Sequence, residues 1–179
     1  MKKMTEMDNE IRTYTVLIYT ENQIGLLSQI ANVFTRRSLN IWTLSAGPTA
    51  IDGVHTITIT TDASRRKIDE AVKQIEKRVD VISATFYVSE EIVYRELALC
   101  KVPSKSLLES SGAIEQLLSD HHARILEMNP SFTVLQKTGT LRETTAFYES
   151  VKPFGVLQFV RSGRVAVSRD AEPEIKCCK

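Results

Sequence analysis

The chemistry open to this chain concentrates in seven residues, Glu21-Asn22-Gln23-Ile24-Gly25-Leu26-Leu27. They follow a β-branched and aromatic run over 14–19 and precede an apolar series at helical spacing. A strand-to-helix turn of this kind presents backbone N–H groups that have no acceptor within the helix. Their partial positive charge suits a carboxylate. Gly25, without a Cβ, lets a ligand approach the backbone closely. Asn22 offers both donor and acceptor, which matches the two ends of an amino acid. Asn40 opens the next predicted strand and is placed to complete a shared pocket. An ordinary turn uses the same residue types, with Asn22 as a cap and Gly25 permitting the reversal, so the residues alone leave both readings open.

Other reactive side chains form no known constellation. His55, His121 and His122 have no ligand partner at a metal-binding spacing. His55 reads as a buried or interface histidine, and His121-His122 as the end of a helix, where positive charge complements the dipole. The cysteines, Cys100, Cys177 and Cys178, make no C-x-x-C. Seven scattered glycines give neither a G-x-G-x-x-G nor a phosphate loop. Glu90-Glu91 reads as a solvated linker pair, and Arg161-Ser162-Gly163-Arg164 as a turn with solvated arginines.

The elements that must hold the turn can be read along the chain. After the first strand, Leu26, Leu27, Ile30, Ala31, Val33 and Phe34 predict an amphipathic helix, with Arg36 and Arg37 closing it. Residues 40–44 predict a second strand, followed by turn signals at Gly47-Pro48-Thr49 and Asp52-Gly53. Strict alternation over 54–61 puts His55, Ile57 and Ile59 on one face and Thr56, Thr58 and Thr60 on the other. A helix around Ile68–Ile75 and a strand over 79–88 complete a β-α-β-β-α-β order. Ser89-Glu90-Glu91 marks a boundary, after which the order repeats. Strands are predicted at 97–102, 124–128, 132–135, 154–160 and 164–168. One helix covers 107–118, and a second opens on the capping box Thr140-Leu141-Arg142-Glu143. The fold class is therefore α+β: two ferredoxin-like βαββαβ sandwiches, over 12–88 and 94–170, with helices on one sheet face. The other face, rich in threonine in the first sandwich, must meet water or another surface.

Composition bounds the rest. The chain has 179 residues, enough for two domains of ~80–90 residues. With 23 basic and 22 acidic side chains, and neither half strongly charged, it lacks the electrostatic footprint of a nucleic-acid binder. No apolar run approaches a membrane span. An odd cysteine count with no apolar leader predicts reduced thiols and a cytoplasmic location. Adjacent Cys177 and Cys178 read as tail thiols.

The turn, its apolar helix and the following Asn40-Ile41 resemble an ACT domain, the amino-acid-sensing module. Ala46-Gly47-Pro48-Thr49, Val79-Asp80-Val81, Arg95-Glu96-Leu97, Asn129-Pro130-Ser131, Val160-Arg161-Ser162-Gly163 and Ser168-Arg169 extend the likeness. Over about 12–170 the chain is similar to the small regulatory subunits of acetolactate synthase (acetohydroxyacid synthase). The resemblance implies a noncatalytic chain that binds and activates the catalytic subunit and carries feedback inhibition by valine or a related branched-chain amino acid. It implies no cofactor in this chain, and a catalytic partner carrying thiamine diphosphate, Mg and FAD. It implies a homodimer with effector between two ACT domains, held by Asn22, Gly25, Leu26 and Leu27 of one copy and Asn40 and Ile41 of the other. An ACT-type sensor for a different biosynthetic enzyme is the alternative. The chain departs from the family at Ser38, where glycine is usual after the first helix, and at His121-His122-Ala123 before the second domain's middle strand.

Overall fold

The computed structural model describes residues 10–108 and 111–170. Its chain divides into two compact units, whose described parts are 10–94 with 163–170, and 95–108 with 111–162. Of the expected second span, 94–170, residues 95–162 form the second unit, and Tyr94 and 163–170 fall in the first.

The first unit carries a four-stranded antiparallel sheet in the order β2-β3-β1-β4. The strands are β1 (Ile11–Glu21), β2 (Thr43–Pro48), β3 (Val54–Ser64) and β4 (Val81–Tyr87). Helices α1 (Leu26–Arg36) and α2 (Arg65–Glu76) cover one face. Each helix repeats its apolar residues every three or four positions, so Ile30, Val33 and Phe34 of α1 meet Ile68, Ala71, Val72 and Ile75 of α2 over Val16, Ile18, Ile57 and Ile59. All of these are buried. The opposite face is not left to solvent: Thr15, Leu17, Thr58 and Thr60 are buried too.

Of the element limits that differ from the sequence expectation, two lie next to the turn and its helix. The second strand begins at Thr43 rather than at Asn40 and continues through Gly47-Pro48. Ladder pairing with β3 starts at Thr43–Thr60 and ends at Pro48–His55. Proline is tolerated there because β2 is an edge strand. The reversal falls after it, where Thr49 N–H donates to the Val54 carbonyl (2.9 Å). The fourth strand begins only at Val81, since a turn places the Val81 N–H on the Arg78 carbonyl and leaves Val79 exposed.

The second unit repeats the order. Strand β5 (Ile92–Pro103) is central, and β6 (Arg124–Met128), β7 (Phe132–Gly139) and β8 (Gln158–Arg161) give the order β6-β7-β5-β8. The region of the expected helix over 107–118 is described as α3 (Ser104–Leu108) and α4 (Ser111–Asp120), with 109–110 outside the described residues. Helix α5 (Leu141–Val151) opens on the predicted box: Thr140 N–H donates to Glu143 Oε2 (2.7 Å), and Glu143 N–H donates to Thr140 Oγ1 (3.4 Å). Cys100, Val102, Leu107, Leu135, Phe147 and Val151 form a core of their own. Strand β9 (Val165–Ser168), which lies in the first unit, pairs with β5, whose residues 92–94 lie in that unit too. Cys177 and Cys178 lie outside the described residues.

Candidate functional site

The turn after β1 is pinned from two sides. Glu21 N–H donates to the Asp80 carbonyl (3.0 Å), and Asn22 N–H donates to the Gly53 carbonyl (3.2 Å). Beside it, the β1–β4 register shifts between Tyr19 and Thr20, so that Ile82 is the extra residue of β4. Such bulges bend a strand and commonly flank sites. Gly25 is the N-cap of α1, at φ +85°, with no side-chain cap on the helix. Glycine is needed there for its backbone conformation, because an L side chain is strained at that φ. A Cβ at Gly25 would meet nothing within 4 Å, so the backbone stands open to an approaching group.

Next to this helix start is a hollow of about 80 Å³, lined by Thr20, Glu21, Asn22, Gln23, Leu26, Leu27, Ala46, His55 and Ile57. Three of the predicted residues, Asn22, Leu26 and Leu27, line it. Leu26 is buried in the core and shows the hollow one wall, whereas Leu27 is 44% exposed. The hollow combines apolar side chains, Leu26, Leu27, Ala46 and Ile57, with polar ones, among them Asn22, Glu21 and His55. Such a lining sets hydrogen-bonding groups beside apolar carbon.

Thr20, Ala46, His55 and Ile57 were not predicted as lining. Their membership depends on register: Thr20 pairs with His55, and Ala46 with Ile57. Alternation put His55 and Ile57 on one face, but nothing local said which end of that face meets the turn.

Asn40 and Ile41 are not at this hollow. Asn22 lies before the first residue of α1 and Asn40 lies past its last, so the 11-residue helix, about 16 Å long, separates them. The Asn40 carbonyl accepts from Thr61 Oγ1 (2.7 Å), and Thr61 pairs with Tyr14 near the far end of β1. One small ligand cannot touch Asn22 and Asn40 of the same copy. At the Asn40 end, α1 closes on Ser38 in the left-handed region (φ +53°), with Leu39 N–H donating to the Phe34 carbonyl (3.0 Å).

The histidines have plain structural roles in the second unit. His121 Nε2 is 2.9 Å from Ser150 Oγ, and its ring meets Phe147 edge-on. His122 is at φ +47°, where Ala123 N–H donates to the Leu118 carbonyl, so its position is a helix-ending turn. The sequence motif at Arg161 is more than a solvated turn. Arg161 donates to Thr145 Oγ1 (3.0 Å) and stands 3.8 Å from the buried Glu96 carboxylate. Arg164 is 6% exposed. Among the described residues, no group of three or more His, Cys, Asp or Glu could hold a metal ion. None of the described helices is long and apolar enough to cross a membrane.

Comparison with known proteins agrees with this architecture. Residues 16–83 match the family model described as an AHAS small subunit-like ACT domain. Residues 95–170 match the model described as the small subunit of acetolactate synthase. The chain is 31% identical over 166 residues to a probable acetolactate synthase small subunit of Methanothermobacter thermautotrophicus, covering 93% of this chain and 97% of the relative. It is 32% identical over 154 residues to the acetolactate synthase small subunit of Bacillus subtilis, covering 84% and 87%. The crystal structure of the acetolactate synthase small subunit of Thermotoga maritima superposes with a TM-score of 0.79 at 28% identity, over 88% of this chain and 98% of that one. With both halves matched and the order of elements shared, the chain belongs to the family of acetolactate synthase small subunits.

Proposed function

We propose that this chain is the regulatory subunit that activates the acetolactate synthase catalytic subunit and confers feedback inhibition by valine or another branched-chain amino acid. The observation that carries the effector reading is the hollow at the start of α1. Its volume, about 80 Å³, is well below the ~300–1,000 Å³ of ordinary ligand clefts, so one copy supplies only part of a site. A second copy, bringing Asn40 and Ile41, completes it, which makes the working form a homodimer. The effector carboxylate lies on the N–H groups that open α1, beside Gly25 and Leu27. Its side chain lies on Leu26, Ala46 and Ile57. Thiamine diphosphate, Mg and FAD belong to the catalytic subunit in this reading, and the complex works in the cytoplasm.

The test is reconstitution. The chain alone should show no acetolactate synthase activity, and adding it to the catalytic subunit should raise turnover. Equal rates with and without the chain, with the complex demonstrated, refute activation. Gly25→Asp should raise the valine concentration for half inhibition about tenfold or more, in line with the usual size of allosteric coupling. The aspartate carboxylate competes for the same N–H groups; aspartate is strained at φ +85°, but less than most side chains because its short polar group can hydrogen-bond locally. Activation by the same variant reports that it is folded and docked. An unchanged inhibition curve places the effector elsewhere. Light scattering of the full chain should give twice 20.2 kDa in the presence of effector.

A further inference from the structure

The buried threonine face of the first unit has an occupant from the far end of the sequence. Thr43, Thr60 and Thr15 lie side by side across β2, β3 and β1, since Thr43 pairs with Thr60 and Thr60 with Thr15. Thr43 Oγ1 is 3.0 Å from Thr60 Oγ1. At the β1 end of this row, Arg164 Nη1 donates to Thr15 Oγ1 (3.1 Å), and its guanidinium stacks 4.2 Å from the centroid of the Tyr94 ring. At the β2 end, Gly163 approaches the backbone. A Cβ there would fall 2.8 Å from the carbonyl carbon and oxygen of Leu44 and 3.0 Å from the Ser45 nitrogen. Those are backbone atoms and cannot swing aside, so only glycine allows this approach. The segment then continues into β9, and Arg169 N–H donates to the Glu91 carbonyl (2.9 Å).

We infer that Gly163–Ser168 is a strap that positions β2, and that Gly163 and Arg164 are positioning residues for the effector response. Strand β2 is an edge strand, held on one side only by β3. It begins two residues after Ile41, and it contributes Ala46 to the hollow at the other end. Whatever fixes β2 therefore fixes elements of both half-sites. Contact from Gly163 on the Leu44–Ser45 peptide, together with Arg164 anchored on β1, supplies a second hold on that strand. The neighbouring Arg161 and Ser162 are tied within the second unit: Ser162 Oγ accepts from Leu97 N–H (2.9 Å), and Ser162 N–H donates to the Leu97 carbonyl (2.9 Å). The covalent chain thus passes from a clamp on β5 straight to the residue that touches β2. The inference rests on the effector reading above, but the hold on β2 is measurable without it.

The experiment uses the full chain, alone and with the catalytic subunit. The variants are Gly163→Ala, Arg164→Met and the conservative Arg164→Lys, which retains a cation over Tyr94. Val151→Ala, in the second unit's core, serves as a control of comparable stability loss. Amide hydrogen exchange over 43–48 should quicken about tenfold in Gly163→Ala and Arg164→Met, less in Arg164→Lys, and not in Val151→Ala. In the reconstituted enzyme the first two should raise the valine midpoint about fivefold or more, while the degree of activation stays near wild type. Unchanged exchange over 43–48 in both variants overturns the strap. So does an equal change in Val151→Ala, which would make the effect one of general stability. Quickened exchange with an unmoved valine midpoint overturns the positioning role. If wild type answers to no branched-chain amino acid, the effector reading fails, and the exchange measurement still decides whether the strap holds β2.

Discussion

Ser38 and His122 occupy equivalent places, each just past the first long helix of its unit and each in the left-handed region. A non-glycine residue there costs about 1–2 kcal/mol. Ser38→Gly should therefore stabilise the chain by about 1 kcal/mol, seen by calorimetry as a rise of ~2–4 °C in the transition midpoint. An unchanged midpoint would mean that Ser38 gains an offsetting interaction. The sequence exposed the Ser38 position through its family resemblance, and the φ angle supplies the physical reason. Cys100 differs in kind. It is fully buried in the second core, and burial pushes its thiol up to about 11 by disfavouring the thiolate. Its contribution to stability is complete below the ordinary thiol value of 9.0 and declines as pH rises toward 11. Iodoacetamide at pH 8 should leave Cys100 unlabelled in the native chain and label it in denaturant, as peptide mass mapping would show.

At the scale of elements, α5 was legible to its first residue because its signal is local. Thr140 and Glu143 satisfy each other across three residues, and no distant contact is needed. The Glu143 carboxyl is lowered below its ordinary value, first by the Thr140 N–H and next by the Thr140 hydroxyl. A lowered carboxyl stabilises the fold above its unfolded value of 4.5 and loses that contribution as pH falls through its folded value. Thr140→Ala should cost about 1 kcal/mol near neutral pH, and less once Glu143 is protonated. Denaturant melts at pH 7 and pH 3 would show the difference shrink, and a constant difference would refute the coupling. Strand β2 was less legible. Its limits depend on where Thr43 meets Thr60 on another strand, and its Gly47-Pro48 pair mimics a turn although an edge strand tolerates it.

Among the described residues each unit has a hydrophobic core of its own, and the independence of the two is testable. Val151→Ala removes a buried side chain from the second core and should destabilise it by roughly 2–4 kcal/mol. Exchange should quicken across 95–162 while the amides of Val16, Leu17 and Ile18 keep wild-type protection. Equal quickening in both units would show one cooperative fold. The repeated βαββαβ order, the helix faces and the turn around Asn22 and Gly25 were determined by the sequence itself, because periodicity, capping and turn chemistry act over a few residues. Tertiary structure alone decided which residues those turns meet. It brought Thr20, Ala46, His55 and Ile57 to Asn22 and set Asn40 a helix length away. It also sent Gly163 and Arg164 back to a sheet more than 100 residues earlier in the chain, 149 positions in the case of Thr15. Pairings of that separation are fixed by strand register and by burial of an otherwise solvent-facing sheet, and neither leaves a periodic trace in the residues that make them.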